Sequence, residues 1–171
     1  MLSINSFSDS TPYPPVKVEC PNLRYANEML SNTGSCNSEM SAVSLYFYNS
    51  VILMENRKDF ADIFHEISIV EMHHLDIFSQ LAFMLGADPR LWTYQGRGAR
   101  YWSPACNHYP RPLAALLQNA LLGEQNTIAK YRWQASLIQD RCITNLLNRI
   151  ILDEQVHVSI FQAMLAEISC G

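Results

Sequence analysis

Hydrophobic residues recur along most of this chain at alternating steps of three and four, the spacing that places side chains on one face of an α-helix. The spacing runs through residues 60–85 and 143–168, and shorter stretches show it at residues 39–53 and 124–138. Each stretch would bury one face and leave the other in water. The pattern therefore predicts an all-α fold in which four long helices pack as a bundle.

The N-terminal residues lack this periodicity because prolines interrupt them. Four prolines lie in the stretch from Pro12 to Pro21, and proline lacks the backbone N–H that a helix interior needs. We therefore expect residues 1–21 to form an extended arm and residues 22–171 to form the bundle domain. That domain should begin with a short helix over residues 22–30, which the polar stretch at 32–35 would end.

Capping and turn residues indicate where the long helices begin and end. Asp59 and Asp140 are suitable N-caps, Pro112 suits the first turn of a helix, and Gly86 suits the position just after one. The predicted long helices cover about residues 36–55, 59–85, 112–138 and 141–169.

Two polar pairs interrupt the apolar faces of the second and fourth long helices. Glu71 and His74 occupy positions where the pattern predicts Leu or Ile, and so do Glu154 and His157. Residues three apart lie one turn apart on the same side of a helix. Each Glu-x-x-His pair can therefore hold one metal ion.

The first and third long helices each add one matching carboxylate. Glu124 follows Glu39 by 85 residues, and the second Glu-x-x-His pair follows the first by 83, so the chain divides into two similar helix pairs. The candidate ligands lie at similar distances from the turn within each pair, which places them at one height in the bundle. Four carboxylates and two imidazoles are the ligand set of a dinuclear iron or manganese centre.

Charge gives a second reason to expect metal. The apolar faces carry no Lys or Arg that could neutralise four buried carboxylates, and burial and mutual repulsion both disfavour their charged forms. Two divalent ions would balance the charge and leave both histidines neutral. The alternative is a bundle whose buried polar groups are protonated or hydrated. Carboxylates with one imidazole per ion suit iron or manganese better than structural zinc.

Composition argues against several other classes of protein. The 12 Lys and Arg form no dense block, so a nucleic-acid partner has little support. The sequence contains no run of 18 apolar residues, so no membrane span is predicted. Residues 1–15 lack the apolar segment of a secretory signal. We therefore expect a cytoplasmic protein without membrane contact. Its five cysteines are then expected to be reduced thiols: Cys20, Cys36, Cys106, Cys142 and Cys170.

With these six candidate ligands, the chain resembles the ferritin-like di-metal carboxylate superfamily, in particular rubrerythrin-like proteins and manganese catalases. The resemblance covers about residues 22–170. It implies two iron or two manganese ions per subunit. It also implies that Glu71 and Glu154 bridge the ions and are the catalytic ligands, whereas Glu39 and Glu124 each bind one ion.

Three further residues are expected to contact these ligands. Tyr46 and Tyr131 follow Glu39 and Glu124 by seven residues and match a tyrosine position of the family that hydrogen-bonds ligand carboxylates. Asp153 could accept a hydrogen bond from His74 across the bundle, since metal-bound histidines usually donate their other N–H to a carboxylate. The alternative for Asp153 is a solvated surface position.

The resemblance also accounts for the long connection at residues 86–111. In ferritin-like bundles the second and third helices run parallel, so the connection must cross the length of the bundle. We expect its aromatic residues to pack along the bundle, the alternative being a subunit interface: Trp92, Tyr94, Tyr101, Trp102 and Tyr109.

The leading functional hypothesis is an oxidoreductase that protects against oxidative stress by consuming hydrogen peroxide or dioxygen. The chain has no Cys-x-x-Cys pair, so it lacks the rubredoxin-type iron domain of full-length rubrerythrins. This favours a catalase-like reaction, although a rubredoxin acting in trans would allow a peroxidase. The alternatives are an iron-oxidising storage protein and a structural protein with a metal-stapled bundle. A homo-oligomer is expected.

Overall fold

The computed structural model describes residues 6–95 and 98–169 and has the predicted all-α, ferritin-like four-helix bundle. The elements are α1 (Leu23–Gly34), α2 (Glu39–Leu53), α3 (Lys58–Met84), β1 (Trp92–Gln95), β2 (Gly98–Tyr101), the 3₁₀ turn (Pro104–Cys106), α4 (Leu113–Leu137) and α5 (Arg141–Ser169). Helix α2 packs against α3, and α4 packs against α5. The shorter helix α1 packs on one end of the bundle, and a small β-hairpin and the 3₁₀ turn lie in the connection between α3 and α4.

Two of the predicted helix boundaries are confirmed by their hydrogen bonds. The Asp140 carboxylate accepts from the backbone N–H groups of Cys142 at 2.9 Å and Ile143 at 3.2 Å, and so caps α5. Gly86 has a φ of 102°, a left-handed conformation that favours glycine. The following N–H, of Ala87, donates to the Ala82 carbonyl at 3.0 Å and closes the end of α3.

Three other boundaries differ from the predicted ones. Helix α1 continues to Gly34 because Asn32, which would break an isolated helix, instead donates to Gln134 of α4 at 2.8 Å. Asp59 does not cap α3, which begins at Lys58; it forms an ion pair with Arg57 at 2.8 Å. Pro112 precedes α4 instead of forming its first residue.

The cysteine prediction was also wrong for two of the five residues. Cys36 and Cys106 form a disulfide, with their Cα atoms 4.8 Å apart and a sequence separation of 70 residues. The bond joins the segment before α2 to the α3–α4 connection. Cys36 lies outside α2 because this helix begins at Glu39, three residues later than predicted. Cys20 and Cys142 are free thiols, and Cys170 lies outside the described residues.

The α3–α4 connection is more ordered than a simple crossing loop. Strands β1 and β2 pair antiparallel, and β1 packs against α1 so closely that a Cβ at Gly34 would lie 2.3 Å from the Trp92 nitrogen. Trp102 and Tyr109 pack along the bundle as predicted, contacting Ser41 and Tyr48 of α2. The other two tyrosines of the connection, Tyr94 and Tyr101, are more than half exposed.

The hydrophobic core is divided into two clusters by a layer of polar residues across the middle of the bundle. One cluster is formed mainly by α1 and the adjacent parts of α3, α4 and α5, and the other by α2 and the opposite parts of the same three helices. Each buried Leu, Ile or Phe contributes about 1.5–3 kcal/mol, which offsets the cost of burying the polar layer. Among the described residues, no helix combines the length and hydropathy needed to cross a lipid bilayer.

Candidate metal centre

The polar layer contains all six side chains that the sequence singles out as ligands. Helices α2 and α4 contribute one glutamate each, whereas α3 and α5 contribute a glutamate and a histidine each. Every one is at most 2% exposed. Their donor atoms form two overlapping groups with atoms within 4.8 Å of one another: Glu39, Glu71, His74 and Glu154 in the first, and Glu71, Glu124, Glu154 and His157 in the second.

Glu71 and Glu154 belong to both groups because each lies between the two histidines. The two Glu71 oxygens lie 3.1 Å from His74 Nδ1 and 3.0 Å from His157 Nδ1. The two Glu154 oxygens lie 3.3 Å and 3.2 Å from the same two nitrogens. Each of these carboxylates can therefore place one oxygen on each of two ions.

Glu39 and Glu124 lie at opposite ends of the cluster. Of the two histidines, Glu39 lies near His74, at 4.0 Å, and Glu124 lies near His157, at 3.8 Å. Each accepts a short hydrogen bond from the tyrosine of the other helix pair: Tyr131 donates to Glu39, and Tyr46 donates to Glu124. The tyrosines thus orient the outer carboxylates, and they do so across the bundle.

Both histidines direct Nδ1 toward the carboxylates and Nε2 away from them. His157 Nε2 lies 2.9 Å from the Phe7 carbonyl oxygen, which can only accept, so this nitrogen carries the proton. His74 Nε2 lies 3.1 Å from the Asp153 carboxylate and 3.2 Å from the Tyr13 hydroxyl. When the rings are neutral, these contacts leave both Nδ1 atoms free to bind an ion.

The N-terminal arm supplies contacts that the sequence analysis missed. The backbone N–H of Asp9 donates to Asp153 at 2.7 Å, and the Tyr13 hydroxyl donates to the same carboxylate. Buried Arg149 pairs with Asp153 at 2.7 Å and donates to the carbonyl oxygens of Asp9 and Thr11. A backbone carbonyl such as that of Phe7 leaves no signal in a sequence. The position of Arg149, one turn before Asp153, did offer one.

The electrostatics of the metal-free cluster separate the inner from the outer carboxylates. Burial, and then the charges of Glu71 and Glu154, raise the pKa of Glu39 and Glu124 well above the usual value. Burial also acts to raise the pKa of Glu71 and Glu154, and for Glu154 the Glu71 charge adds to it, but the two histidines outweigh these effects and lower it.

The histidine pKa values shift in the opposite sense. Burial acts to lower the pKa of His74 and His157, but the surrounding carboxylates outweigh it and raise both pKa values well above the usual one. The carboxylates that raise these pKa values would therefore also favour other positive charge placed between Glu71 and Glu154.

A dinuclear metal site fits the remaining contacts. Glu71 Oε1 and Glu154 Oε1 are buried and accept no hydrogen bond from the described residues; the first lies 3.0 Å from His157 Nδ1 and the second lies 3.3 Å from His74 Nδ1. Ions between the two histidines would give both oxygens a ligand role. The donor set of four carboxylates and two imidazoles is oxygen-rich, as iron and manganese prefer.

Comparison with solved structures places the fold among known ones. KatB, a manganese catalase from Anabaena, superimposes with a TM-score of 0.83 at 19% identity, over 96% of this chain and 81% of that one. Rhodobacter capsulatus bacterioferritin superimposes with a TM-score of 0.72 at 21% identity, over 87% of this chain and 88% of that one. Mycobacterium tuberculosis bacterioferritin BfrA superimposes with a TM-score of 0.67 at 20% identity, over 86% of this chain and 85% of that one. At these identities the likeness is one of fold.

Sequence comparison gives the family. No protein of curated function matches the chain, but the sequence model of the rubrerythrin family matches residues 30–165, a range that contains all six candidate ligands. This family and the two buried ligand groups together imply a dinuclear metal site. The chain belongs to the rubrerythrin family.

Proposed function

We propose that this protein is an oxidoreductase that consumes hydrogen peroxide or dioxygen at a dinuclear iron or manganese centre. The observation that carries the proposal is the position of Glu71 and Glu154, each within 3.3 Å of both histidine Nδ1 atoms. Carboxylates placed in this way would hold two ions side by side. Such a pair would give up two electrons when peroxide is reduced to water and would take up two electrons when peroxide is oxidised to oxygen.

Each ion would have its own terminal ligands. His74 and Glu39 would hold one ion, and His157 and Glu124 would hold the other, with Glu71 and Glu154 shared. The hydrogen bonds from Tyr131 to Glu39 and from Tyr46 to Glu124 fix the outer carboxylates. The two apolar clusters above and below the layer cover it on those two sides, and a low-polarity environment strengthens the electrostatic interactions inside it.

Within this proposal, a catalase-like reaction is favoured over a peroxidase. Catalase chemistry uses peroxide as both electron donor and acceptor, so it needs no further redox group. The sequence contains no Cys-x-x-Cys pair that could form a rubredoxin-type iron site. A peroxidase would require an electron donor in trans, such as a rubredoxin.

Iron oxidation and storage is the second candidate because the bundle also superimposes on two bacterioferritins. Subunit number would separate the two functions, since storage requires a closed shell. We expect a homo-oligomer in either case, because Phe47 and Val51 of α2, with Met54 just after it, leave a stripe of exposed apolar surface. A structural protein with a metal-stapled bundle is the third candidate and would show no turnover.

A cytoplasmic location stays a prediction. Disulfides are uncommon in the reducing cytosol, so a Cys36–Cys106 bond that forms in the cell would argue against this location. Alkylation of free thiols at the moment of cell lysis would show whether the bond exists in the cell.

Elemental analysis combined with a peroxide assay tests the proposal. We expect two iron or manganese ions per chain, and peroxide consumption that releases oxygen without added reductant. Peroxide consumption that depends on reduced rubredoxin and releases no oxygen would identify a peroxidase. Metal-loaded protein that consumes neither peroxide nor dioxygen would contradict the proposal.

A further inference from the structure

A cavity of about 460 Å³ lies between α2 and α4 and reaches the candidate metal centre from one side. Tyr46 and Glu124 form part of its wall, so it extends to an outer ligand and to the hydroxyl that orients it. Among the described residues that line it, most are polar and uncharged, none is Lys or Arg, and Glu124 is the one carboxylate. The polar lining includes Asn37, Ser38, Ser41, Asn119, Asn126 and Thr127.

Described parts of the chain cover the centre on its other sides. The N-terminal arm contacts both histidines through Phe7 and Tyr13. Helix α1 packs over the Glu39 end, where Tyr131 belongs to the apolar cluster that contains Met29 and Leu30. The Glu39 end is therefore covered, whereas the equivalent Glu124 end faces the cavity.

Gly123 lies where the cavity meets the centre. A Cβ built on this residue would have the Tyr46 hydroxyl as its nearest neighbour, at 4.0 Å. Alanine would therefore fit without strain, but a longer side chain would fill the space beside Tyr46. Gly123 is in the interior of α4, where leucine has a higher helix propensity than glycine. A Gly123→Leu variant should thus fold and obstruct the passage.

The outer wall of the cavity is the segment at residues 103–109, and several bonds fix it to α2 and α4. The Cys36–Cys106 disulfide is part of the wall itself. Asn107 donates to the Ser41 carbonyl at 3.0 Å, and Asn119 of α4 donates to the His108 carbonyl at 3.4 Å. The disulfide is the one covalent bond among these contacts.

We propose that this cavity is the entrance through which small uncharged hydrogen-bonding molecules of the hydrogen peroxide class reach the centre, and that the disulfide fixes its width. The inference about substrate rests on the proposed function. A neutral polar lining suits a neutral polar molecule. A wall held by a covalent bond excludes molecules that are larger than the passage.

The entrance is tested with nitric oxide, a small neutral probe, on Fe(II)-loaded protein by stopped-flow absorption. Gly123→Leu should lower both the association and the dissociation rate constants about tenfold and leave the Kd unchanged, since an obstructed passage slows both directions. Gly123→Ala and the exposed Ala129→Leu should match the parent. Unchanged rates in Gly123→Leu, or a changed Kd with an unchanged association rate, would overturn the entrance.

The wall is tested with the Cys36→Ser/Cys106→Ser double variant. Hydrogen exchange at residues 103–109 should become faster. With ascorbate added as the electron donor for both substrates, turnover of tert-butyl hydroperoxide relative to hydrogen peroxide should rise several-fold. The matched control is Cys20→Ser/Cys142→Ser, which changes only free thiols and should keep the parent ratio. An unchanged ratio in the first variant would overturn the role of the disulfide. If Gly123→Leu slows nitric oxide binding but the parent consumes no peroxide, the entrance stands and the proposed function fails.

Discussion

The α2–α3 pair and the α4–α5 pair carry the same candidate ligands in different surroundings. Each pair presents one outer glutamate, one inner glutamate and one histidine, and each lends a tyrosine to the other. The histidines are held differently, however: His74 contacts the Asp153 side chain, whereas His157 contacts the Phe7 backbone carbonyl. The residue that corresponds to Asp153 in the first pair is Val70. The two similar helix pairs thus provide the candidate ligands, whereas residues outside the matching positions provide the hydrogen bonds to the histidines.

The largest expected effect distinguishes the inner from the outer glutamates. Replacing Glu71 or Glu154 with alanine should lower peroxide turnover by more than about 100-fold, because each inner carboxylate contacts both histidines. Mutation of residues that only hydrogen-bond to metal ligands typically costs about 10–100-fold in activity. Glu39→Ala should lose less activity and keep at least one ion. Turnover and metal content per chain measure both effects. Loss of both metals in Glu39→Ala alone would reverse the assignment of inner and outer ligands.

Asp153 provides the next contrast, because it supports only one of the two histidines. Asp153→Asn should weaken metal binding about 10–100-fold, and the affected ion should be the one near His74. Asp76→Asn, an exposed change on α3, is the matched control. Titration of the apoprotein with Mn(II), followed by calorimetry, would show one weakened and one unchanged site. Equal weakening of both sites would contradict the asymmetry.

Removing the metal should then show how the whole layer contributes to stability. A ligand present at 100 times its Kd stabilises the folded state by about 2.7 kcal/mol, and for a chain of this size each kcal/mol shifts the Tm by about 2–4 °C. Chelation should therefore lower the Tm by roughly 5–10 °C, and Fe(II) or Mn(II) should restore it. An unchanged Tm after verified metal removal would favour a bundle with scattered polar groups.

The smallest effects concern the two tyrosines, which occupy equivalent positions. Tyr46→Phe and Tyr131→Phe each leave a buried glutamate without its hydrogen bond, at a cost of about 1–3 kcal/mol. In the apoprotein the two losses should be similar, since both tyrosines are fully buried. Urea denaturation of both variants measures them. A difference larger than the predicted cost itself would show that α1 or the cavity changes the local environment.

The repeated part of the molecule was predictable from the sequence, whereas much of its surroundings was not. Helical spacing placed Glu71, His74, Glu154 and His157 on the correct faces because backbone geometry alone determines that spacing. The hydrogen bond from His157 to the Phe7 carbonyl involves a backbone atom that every residue has. The Cys36–Cys106 bond depends on how the connection folds back onto α2, which no local pattern encodes. The sequence analysis ended α1 too early because the hydrogen-bond partner of Asn32, Gln134, lies on another helix.

The most direct test of the central claim is anomalous X-ray diffraction from crystals of the metal-loaded protein, at the iron or manganese absorption edge. The account predicts two peaks roughly 3–4 Å apart, one adjoining His74 Nδ1 and the other His157 Nδ1, with the carboxylates of Glu71 and Glu154 between them. A single peak, or two peaks outside the layer formed by the six side chains, would contradict it.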